Sequence, residues 1–455
     1  MPETSGRPPG TGGAPVDSGL MRPLGEDQLD AWLDLQFSAY GEFGRNPPPW
    51  QKDEALGDLP NLRGVFEAGD LAAGLQYFPM DILFGEQLLP CVAIGMVATA
   101  PQYRRQGRAF EMLRAALIEL RDSGSLFSPL YPFSFPFYRR LGWEHVADQV
   151  SYRVPLSDLP MDRGGTGRVR IVARCLSGDR EQVEEGAIPD LQEVYRSYAS
   201  RFNGMAERDE LAWRRGVLRS RAGQPLRLTI VWENAAGKPG AYAAYMLPMF
   251  LQDPKDIRVR EIAATSPEAY RGILAYFRNH EVLYENLALQ LPPSDPLLAH
   301  LPNPRIKREL NAHFMLRIVN LAPALEALAT TAFAGPGGAP RAGDRLVLHV
   351  GDTVCPWNDG TWRLEASGGT GKVTRVGATG AAGAGAAGAG TAAAAAAGSE
   401  PWVRLSIGVL AQVVCGYLTA DAAASSGRLE ASGPEALALL GRLSGGRPAY
   451  LSEHF

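Results

Sequence analysis

Cysteine and histidine, the residues that build disulfide frameworks and most metal centres, are rare in this sequence. Only four cysteines and six histidines occur among 455 residues. The cysteines lie far apart and form no Cys-x-x-Cys pair; they are Cys91, Cys175, Cys355 and Cys415. Because neither residue type shows the spacing of a ligand set, we expect no metal site. The cysteine pattern favours reduced, buried thiols in a cytoplasmic protein over disulfide bonds.

Long apolar runs and a strong charge imbalance are also missing. No stretch approaches the roughly 20 apolar residues that a transmembrane helix needs, so we expect no membrane span. The formal net charge of −4 argues against broad nucleic-acid binding. Residues 1–20 are rich in Gly, Pro and Ser, with neither a basic start nor an apolar centre. They are predicted to be a disordered leader rather than a signal peptide.

The rest of the sequence is typical of a globular protein with several domains. Its hydrophobic content of 45% and charged content of 21% are ordinary for soluble proteins. A chain of 455 residues exceeds what one core normally organises. A linker-like composition at 159–168 separates residues 21–158 from 169–304, and 310–455 forms a third region. Each region mixes helix and strand patterns, which predicts α/β (α+β) folds, and the Gly/Ala/Thr tract at 368–399 is expected to be a flexible surface insertion.

One stretch, Cys91–Trp143, carries the clearest functional pattern. It begins as an apolar strand, turns at Pro101 and continues as an amphipathic helix to about Asp122. Arg104 and Gly107 stand at the junction between strand and helix. The first turn of a helix has backbone N–H groups without intrahelical partners, and its dipole favours negative charge. A glycine there lets a ligand approach the backbone, so the junction is predicted to bind a pyrophosphate group.

The pattern Arg104-x-x-Gly107-x-Ala109 resembles the acetyl-CoA signature of the GNAT acetyltransferases, Arg/Gln-x-x-Gly-x-Gly/Ala. A plain loop with two solvated arginines is the alternative interpretation, since a short motif alone often matches by chance. The context favours the acetyltransferase. A strand precedes the motif, an amphipathic helix and a second strand follow it, and Phe137-Tyr-Arg-Arg-Leu-Gly-Trp143 comes at the expected distance.

The other two regions extend the resemblance to most of the chain. The order of helices and strands predicted in 169–304 is similar to that of the first region. However, no Arg-x-x-Gly-x-Gly/Ala motif lies between a strand and a helix there. We therefore expect a degenerate GNAT-like domain that does not bind the cofactor. Residues 310–455 resemble a sterol-carrier-protein fold. Tandem GNAT-like domains followed by such a domain resemble the enhanced-intracellular-survival (Eis) family of acetyltransferases, over residues 21–455.

The resemblance implies that acetyl-CoA is the co-substrate. In the family, the cofactor is bound by the backbone of the strand before the loop, by the loop and helix start, and by two residues beyond the next strand. The corresponding residues here are Val97, Ala98, Thr99, Arg104, Arg105, Gln106, Gly107, Arg108, Ala109, Phe110, Phe133 and Ser134.

The resemblance also assigns two catalytic groups. Tyr138 matches the general acid, because a phenol with a pKa of about 10 is protonated at neutral pH and can protonate a departing thiolate. Its alternative role is packing in the core beside Phe137 and Trp143. The terminal carboxylate of Phe455 matches the general base, and for it a frayed chain end is the alternative.

We expect an N-acetyltransferase that moves acetyl from acetyl-CoA to primary amines by direct attack in a ternary complex. The resemblance implies aminoglycoside-like polyamines and lysine side chains as acceptors, and assembly into a homohexamer. His454 stands where an acidic residue is expected, with Glu453 one step earlier, so the fit to polycationic acceptors stays open. Two alternatives remain: an enzyme that acetylates only protein or peptide lysines, and a non-catalytic apolar-ligand-binding protein with a vestigial GNAT domain.

Four residues near the start of the first region are further candidates. They are Trp32, Tyr40, Glu42 and Trp50. The first helices of GNAT domains border the acceptor groove, so each of the four is a possible substrate contact. For each taken singly, a place in the core or in a loop is the ordinary expectation.

Overall fold

The structure is a computed structural model that describes residues 21–41, 49–161, 167–175, 182–218, 227–248, 255–332, 344–367, 370–377 and 400–453. The chain divides into two compact units. The first comprises the chain up to residue 78 together with 94–123, and the second comprises 79–93 and everything from 124 onward. Strands β3 (Asp70–Phe84) and β4 (Gln87–Thr99) contribute residues to both units.

In its described residues, the first unit contains three α-helices and all or part of four strands. In chain order these are β1 (Met21–Pro23), α1 (Leu29–Tyr40), α2 (Pro49–Gly57), β2 (Leu62–Glu67), the start of β3, the end of β4 and α3 (Arg108–Asp122). Strand β2 pairs antiparallel with β1 and with β3. The apolar face of α1 shares one core with β2, β3 and the end of β4. Gly74 of β3 leaves room for the indole of Trp32, because a Cβ there would lie 2.5 Å from the ring.

The second unit begins with a long sheet. Its elements are β5 (Phe127–Leu130), α4 (Phe135–Arg139), β6 (Glu144–Pro155), β7 (Arg168–Cys175), β8 (Gln182–Val183), α5 (Ala187–Ala199), α6 (Glu210–Ala212), β9 (Arg227–Glu233), β10 (Pro239–Met246), β11 (Asp256–Ala264), α7 (Pro267–Arg278), β12 (Asn286–Leu291) and β13 (Lys307–Ile318). The strands follow one another in the order β5-β13-β6-β12-β11-β10-β9-β7-β8. Strand β13 lies antiparallel between β5 and β6, so Met315 faces both Leu130 and His145. A strand late in the chain therefore completes the sheet next to the Phe137–Trp143 motif.

The last part of the second unit is a smaller α/β layer. Its elements are α8 (Leu321–Ala332), β14 (Arg345–Gly351), β15 (Gly360–Ser367), β16 (Thr370–Gly377), β17 (Trp402–Ser406), α9 (Ile407–Cys415), α10 (Ala420–Ser425), β18 (Leu429–Ala431) and α11 (Pro434–Arg442). Five strands form a second sheet in the order β16-β15-β14-β17-β18. Helix α9 is apolar on all sides, and all nine of its residues are buried. Ser406 caps its start, and Gly416 ends it in a left-handed conformation.

One expectation about this layer is wrong. Residues 370–377, which the sequence analysis places in the flexible insertion, form β16 and pair antiparallel with β15. Three of the five residues from Lys372 to Val376 are β-branched, which favours a strand. Gly371 is needed for packing, since a Cβ there would lie 2.3 Å from the Cβ of Ala329. The rest of the 368–399 tract outside β16, and the predicted leader, lie outside the described residues.

The four cysteines match the expectation drawn from their spacing. All four are buried, and none of them forms a disulfide. Among the residues that the structure describes, no helix has the length and apolar character to cross a membrane. Within the same described part of the chain, no group of three or more His, Cys, Asp or Glu side chains is placed to hold a metal ion.

Candidate active site

The end of β4 is distorted where the sequence predicts contacts to the cofactor. Met96 has φ +52°, a left-handed conformation that is uncommon for residues other than glycine and concentrates at functional sites. Helix α1 binds the carbonyl groups at this point: Gln36 Nε2 donates to Met96 O at 3.0 Å, and Tyr40 Oη donates to Val97 O at 2.8 Å. The strand carbonyls are thus held by side chains 57 or more residues away in the sequence.

Side chains of the loop after β4 donate hydrogen bonds to nearby backbone carbonyl groups. A short turn at Pro101–Tyr103 follows the strand. Arg104 Nε donates back to Thr99 O at 3.1 Å, and Gln106 Nε2 donates to Gln102 O at 3.1 Å. Arg105 is exposed and has φ +61°. The loop is therefore a preformed turn with two exposed guanidinium side chains, Arg104 and Arg105, at the start of α3.

Gly107 is the N-cap of α3. It has φ +83° and ψ −4°, a left-handed conformation that glycine adopts without strain. It is exposed, and a Cβ added there would meet nothing within 4 Å. A glycine cap has no side chain to accept hydrogen bonds from the first-turn N–H groups, and no side-chain cap bond forms. The helix start therefore offers backbone donors and a positive dipole end to a negatively charged group.

Unlike Arg104 and Arg105, Arg108 is a predicted cofactor residue whose guanidinium group is already paired with carboxylates of the protein. Its Nε donates to Glu67 Oε2 at 2.8 Å, and its Nη1 lies 3.4 Å from Glu111 Oε2. Arg108 therefore has its charge balanced by carboxylates of the protein, and its side chain secures α3 to β2. No local sequence pattern marks Glu67, which lies 41 residues from Arg108.

Tyr138 lies in α4 within a cluster of aromatic rings. Its side chain is buried, and its ring centroid lies 5.1 Å from Phe133, 5.1 Å from Phe137 and 6.3 Å from Trp143, each in an edge-to-face arrangement. Phe133 is 68% exposed, although it is a large apolar residue. Ser134 is the N-cap residue of α4. The predicted acid and two predicted cofactor contacts thus come from one short segment of the second unit.

The glycine of the Phe137–Trp143 motif has a steric role. Gly142 has φ +83°, and a Cβ there would lie 2.8 Å from the guanidinium carbon of Arg317. Arg317 is fully buried and pairs with buried Asp352 at 2.5 Å. The backbone of the motif turns back on itself after α4. The N–H groups of Leu141 and Trp143 both donate to the carbonyl oxygen of Tyr138. Two hydrogen bonds within the motif therefore hold the carbonyl of Tyr138, while Arg317 of β13 packs against Gly142.

The structure distributes the predicted site residues as follows. Val97, Ala98, Thr99 and 104–110 lie in the first unit, whereas Phe133, Ser134 and Tyr138 lie in the second. Phe455 lies outside the described residues.

The four further candidates near the chain start differ from one another. Trp32 is a core residue with 2% of its surface exposed, as its ordinary interpretation expects. Tyr40 is exposed and bonded to Val97 O. Glu42 and the side chain of Trp50 fall outside the part of the chain that the structure describes.

Comparison with family models divides the chain into three matched regions. Residues 21–146 match an acetyltransferase (GNAT) domain, and residues 204–318 match a second acetyltransferase (GNAT) domain. Residues 324–452 match a sterol carrier protein domain. The order of tandem GNAT domains followed by a sterol-carrier-like domain is the architecture that the sequence predicts, and it is confirmed.

Individual relatives agree with these matches. An uncharacterised N-acetyltransferase of Streptomyces avermitilis is 25% identical over 366 residues, which cover 76% of this chain and 83% of the relative. A probable N-acyltransferase of unknown function from Enterococcus faecalis has a similar structure, with a TM-score of 0.75 and 20% identity over 96% of this chain and 99% of the other. Eis1 of Mycobacterium abscessus is similar with a TM-score of 0.68 and 20% identity, over 96% of this chain and 100% of Eis1. These structural likenesses establish the fold.

Proposed function

We propose that this chain, an Eis-like GNAT acetyltransferase, transfers the acetyl group of acetyl-CoA to a primary amine by direct attack within a ternary complex. GNAT domains use acetyl-CoA, and the first GNAT domain of this chain holds the motif for it. The acceptors in the proposal are aminoglycoside-like polyamines, lysine side chains, or both. The observation that carries the proposal is the exposed glycine cap of α3, with its left-handed backbone and open space in front of it.

The cofactor site of the proposal uses three features of that junction. The first-turn N–H groups of α3 would donate to the diphosphate oxygens. Arg104 and Arg105 are exposed and adjacent, so they would balance the phosphate charge, whereas Arg108 is already paired with Glu67. The irregular end of β4, from Met96 to Thr99, would bind the pantetheine arm through its backbone. Phe133 and Ser134 complete the proposed set.

The reaction requires one proton to leave the amine and one to reach the sulfur. The neutral amine nitrogen attacks the thioester carbonyl carbon, a C–N bond forms, and the negative charge of the tetrahedral intermediate needs a hydrogen-bond donor. When the C–S bond breaks, Tyr138 would protonate the departing thiolate. The Phe455 carboxylate would accept the proton of the amine. The products are then an N-acetyl amide and CoA thiol, which balances atoms and charge.

A terminal carboxylate is a weak base, with a pKa of about 3.5 in water. It can assist only if its surroundings raise that pKa, or if it orients the amine and favours its neutral form. The proposal therefore requires the Phe455 carboxylate to be held close to the acceptor nitrogen. Appending residues to the chain end removes that carboxylate from its place and should lower turnover while acetyl-CoA binding is retained.

The non-catalytic alternative rests on one observation, the match of 324–452 to sterol carrier protein domains. Such a match does not establish lipid binding, because one fold hosts many functions. The intact motif at Arg104–Ala109 favours the enzyme. A homohexameric assembly and a cytoplasmic location are also part of the proposal, through the resemblance to the Eis family, and light scattering of the purified protein tests the assembly.

Free-thiol release from acetyl-CoA tests the proposal. The protein is assayed with kanamycin, with a lysine-containing peptide, and without an amine. Amine-dependent thiol release with an acetylated product seen by mass spectrometry supports the transferase, and release with the peptide alone selects the lysine-specific enzyme. If acetyl-CoA neither binds nor is consumed with any amine, the catalytic proposal is wrong and the apolar-ligand alternative stands.

A further inference from the structure

Glu144 directly follows the Phe137–Trp143 motif and is a buried carboxylate that is bound from two sides. Its Oε1 atom accepts from Arg139, whose Nε and Nη2 atoms both lie at 2.8 Å. Its Oε2 atom accepts from Arg428 Nη2 at 3.1 Å. Arg139 is the last residue of α4 and directly follows Tyr138, whereas Arg428 lies in the region that matches a sterol carrier protein domain. One carboxylate therefore joins the helix of the candidate acid to that third region.

Helix α9 supports this contact through Gln412. Gln412 is the only side chain with an amide or a charge in this otherwise apolar helix. Its Nε2 donates to His145 O at 2.7 Å, and its Oε1 accepts from Arg428 Nη1 at 2.6 Å. A buried amide is stable only when its polar atoms have partners, and here both atoms have one. Gln412 thus attaches α9 to β6 and orients the guanidinium of Arg428 towards Glu144.

Gly408 lets α9 approach β6 at this point. It lies one turn before Gln412, so the two residues share a face of the helix. A Cβ at Gly408 would lie 3.2 Å from the Cβ of Glu144, closer than ordinary packing allows. Because the helix backbone is this close to β6, Arg428 reaches Gln412 and Glu144 with two nitrogen atoms of one guanidinium. The contact therefore depends on three parts of the chain that are distant in sequence: β6, α9 and the residue before β18.

The Arg139–Glu144 pair closes the turn that follows the candidate acid. Within this turn, Leu141 N and Trp143 N donate to Tyr138 O at 3.0 and 3.2 Å. Helix α4 has only five residues, which is too short for a helix to keep its direction without tertiary contacts. The contacts at its end therefore determine where the buried phenol of Tyr138 points.

We propose that Arg428 is a positioning residue for acetyl transfer: by binding Glu144 and Gln412 it fixes the turn after α4, and with it the phenol of Tyr138. This inference rests on the proposed function, in which Tyr138 is the acid. Its physical basis is that a catalytic group displaced by about 1 Å can lose about a hundredfold in rate. Arg428 acts only through Glu144 and Arg139 and takes no part in the proton transfers. The sterol-carrier-like region then supports the chemistry of the first GNAT domain.

The test changes Arg428 and not Glu144, because loss of the buried carboxylate would leave two guanidinium groups without their partner and destabilise the fold. In Arg428→Gln, Glu144 keeps its pair with Arg139. Arg404→Gln is the matched control. The exposed fraction of the side chain is 34% for Arg404 and 38% for Arg428, and the control removes an ion pair with Glu430 at 2.8 Å in the same α/β layer.

The two variants should differ in turnover. We expect Arg428→Gln to lower kcat for thiol release by about tenfold to a hundredfold, whereas Arg404→Gln should keep the kcat of the parent protein. The KM for acetyl-CoA should be unchanged in both, because the proposed cofactor loop is not part of this network. Arg428→Lys keeps a positive charge beside Glu144 and should recover part of the lost kcat. A lysine variant as slow as the glutamine variant would overturn the route through Glu144.

A double-mutant cycle separates positioning from general destabilisation. If Arg428 acts through Tyr138, then Arg428→Gln should have no further effect on kcat in a Tyr138→Phe background. Full additivity of the two changes would overturn the positioning role. Hydrogen exchange followed by mass spectrometry provides a readout independent of catalysis: the amides of 138–144 should exchange faster in Arg428→Gln than in the parent protein and in Arg404→Gln.

The outcomes distinguish this inference from the proposed function. A parent protein that releases no thiol with any amine would overturn the proposed function and the positioning role with it. If the parent is active and Tyr138→Phe lowers its kcat, an Arg428→Gln variant that keeps the kcat of the parent would overturn the positioning role alone. Equal exchange rates for 138–144 in all three proteins would show that Arg428 does not hold the turn after α4, and would also overturn it.

Discussion

Substitution of Gly107 by alanine tests the cofactor site with a close internal control. Gly107 begins α3 and Gly124 follows its end; both have φ +83°, both are exposed, and a Cβ at either would meet nothing within 4 Å. Alanine in a left-handed conformation costs roughly 1–2 kcal/mol. Gly107→Ala and Gly124→Ala should therefore lower the free energy of unfolding by similar amounts, which urea unfolding measures.

The two variants should differ in their binding of acetyl-CoA. At Gly107 the added methyl group projects into the open space in front of the helix start, where the diphosphate is proposed to lie. Hydrogen bonds to charged groups contribute roughly 1.5–3 kcal/mol each, and the loss of one corresponds to about tenfold or more in affinity. We expect Gly107→Ala to raise the KM and the calorimetric Kd for acetyl-CoA by at least about tenfold.

The comparison has a clear refuting result. Gly124→Ala controls for backbone strain and for any general loosening of α3, so its KM should stay within about twofold of the parent protein, far less than the loss of one such hydrogen bond. If both variants bind acetyl-CoA equally well, the start of α3 does not bind the diphosphate. The reasoning from the glycine cap would then be wrong, whatever the activity of the enzyme.

Three further predictions concern the second unit. Tyr138→Phe keeps the packing of the ring cluster and removes the proposed acid, so kcat should fall about a hundredfold in the thiol-release assay while the KM for acetyl-CoA and the melting temperature stay nearly constant. Gly142→Ala forces a methyl group against the buried Arg317, so urea unfolding should show a loss of more than about 2 kcal/mol, clearly larger than for Gly124→Ala. Burial lowers the pKa of the His313 imidazole, so the unfolded chain binds its proton more readily. The free energy of unfolding should therefore decrease as the pH falls below about 6.5, and His313→Gln should reduce this pH dependence between pH 7.5 and 5.5.

Some site features were predictable because they are local. The junction from Arg104 to Ala109 is a short continuous stretch, and its geometry depends on a strand that ends at a proline and on a glycine that adopts a left-handed conformation. Apolar spacing predicted α3 in the same way, since one turn of helix involves only neighbouring residues. The structure places Gly107 at the helix start and leaves it exposed, which agrees with the sequence interpretation.

For residues 368–399, amino-acid composition predicted the secondary structure less well than the order of the residues. The alanine and glycine content of 368–399 predicted a flexible insertion and obscured the β-branched residues Val373, Thr374 and Val376, which lie in β16. Glycine in a strand often marks a close approach of another element, and Gly371 against Ala329 is such a case. Nothing in the sequence of the tract indicates that α8, which contains Ala329, packs against Gly371.

The amino-acid sequence by itself determined the tandem GNAT-like architecture, and it indicated the loop proposed to bind the cofactor and the candidate acid, because each of these patterns depends on residues that are neighbours along the chain. Only the tertiary structure decided which distant side chains meet: Glu67 with Arg108, Gly142 with Arg317, and Arg208 with Glu261 and Glu453. These partners are separated by 41 to 245 residues. A buried charge must find an opposite charge wherever the fold brings one. Which partners meet depends on strand pairing and packing across the whole chain. No periodicity in the linear sequence predicts it.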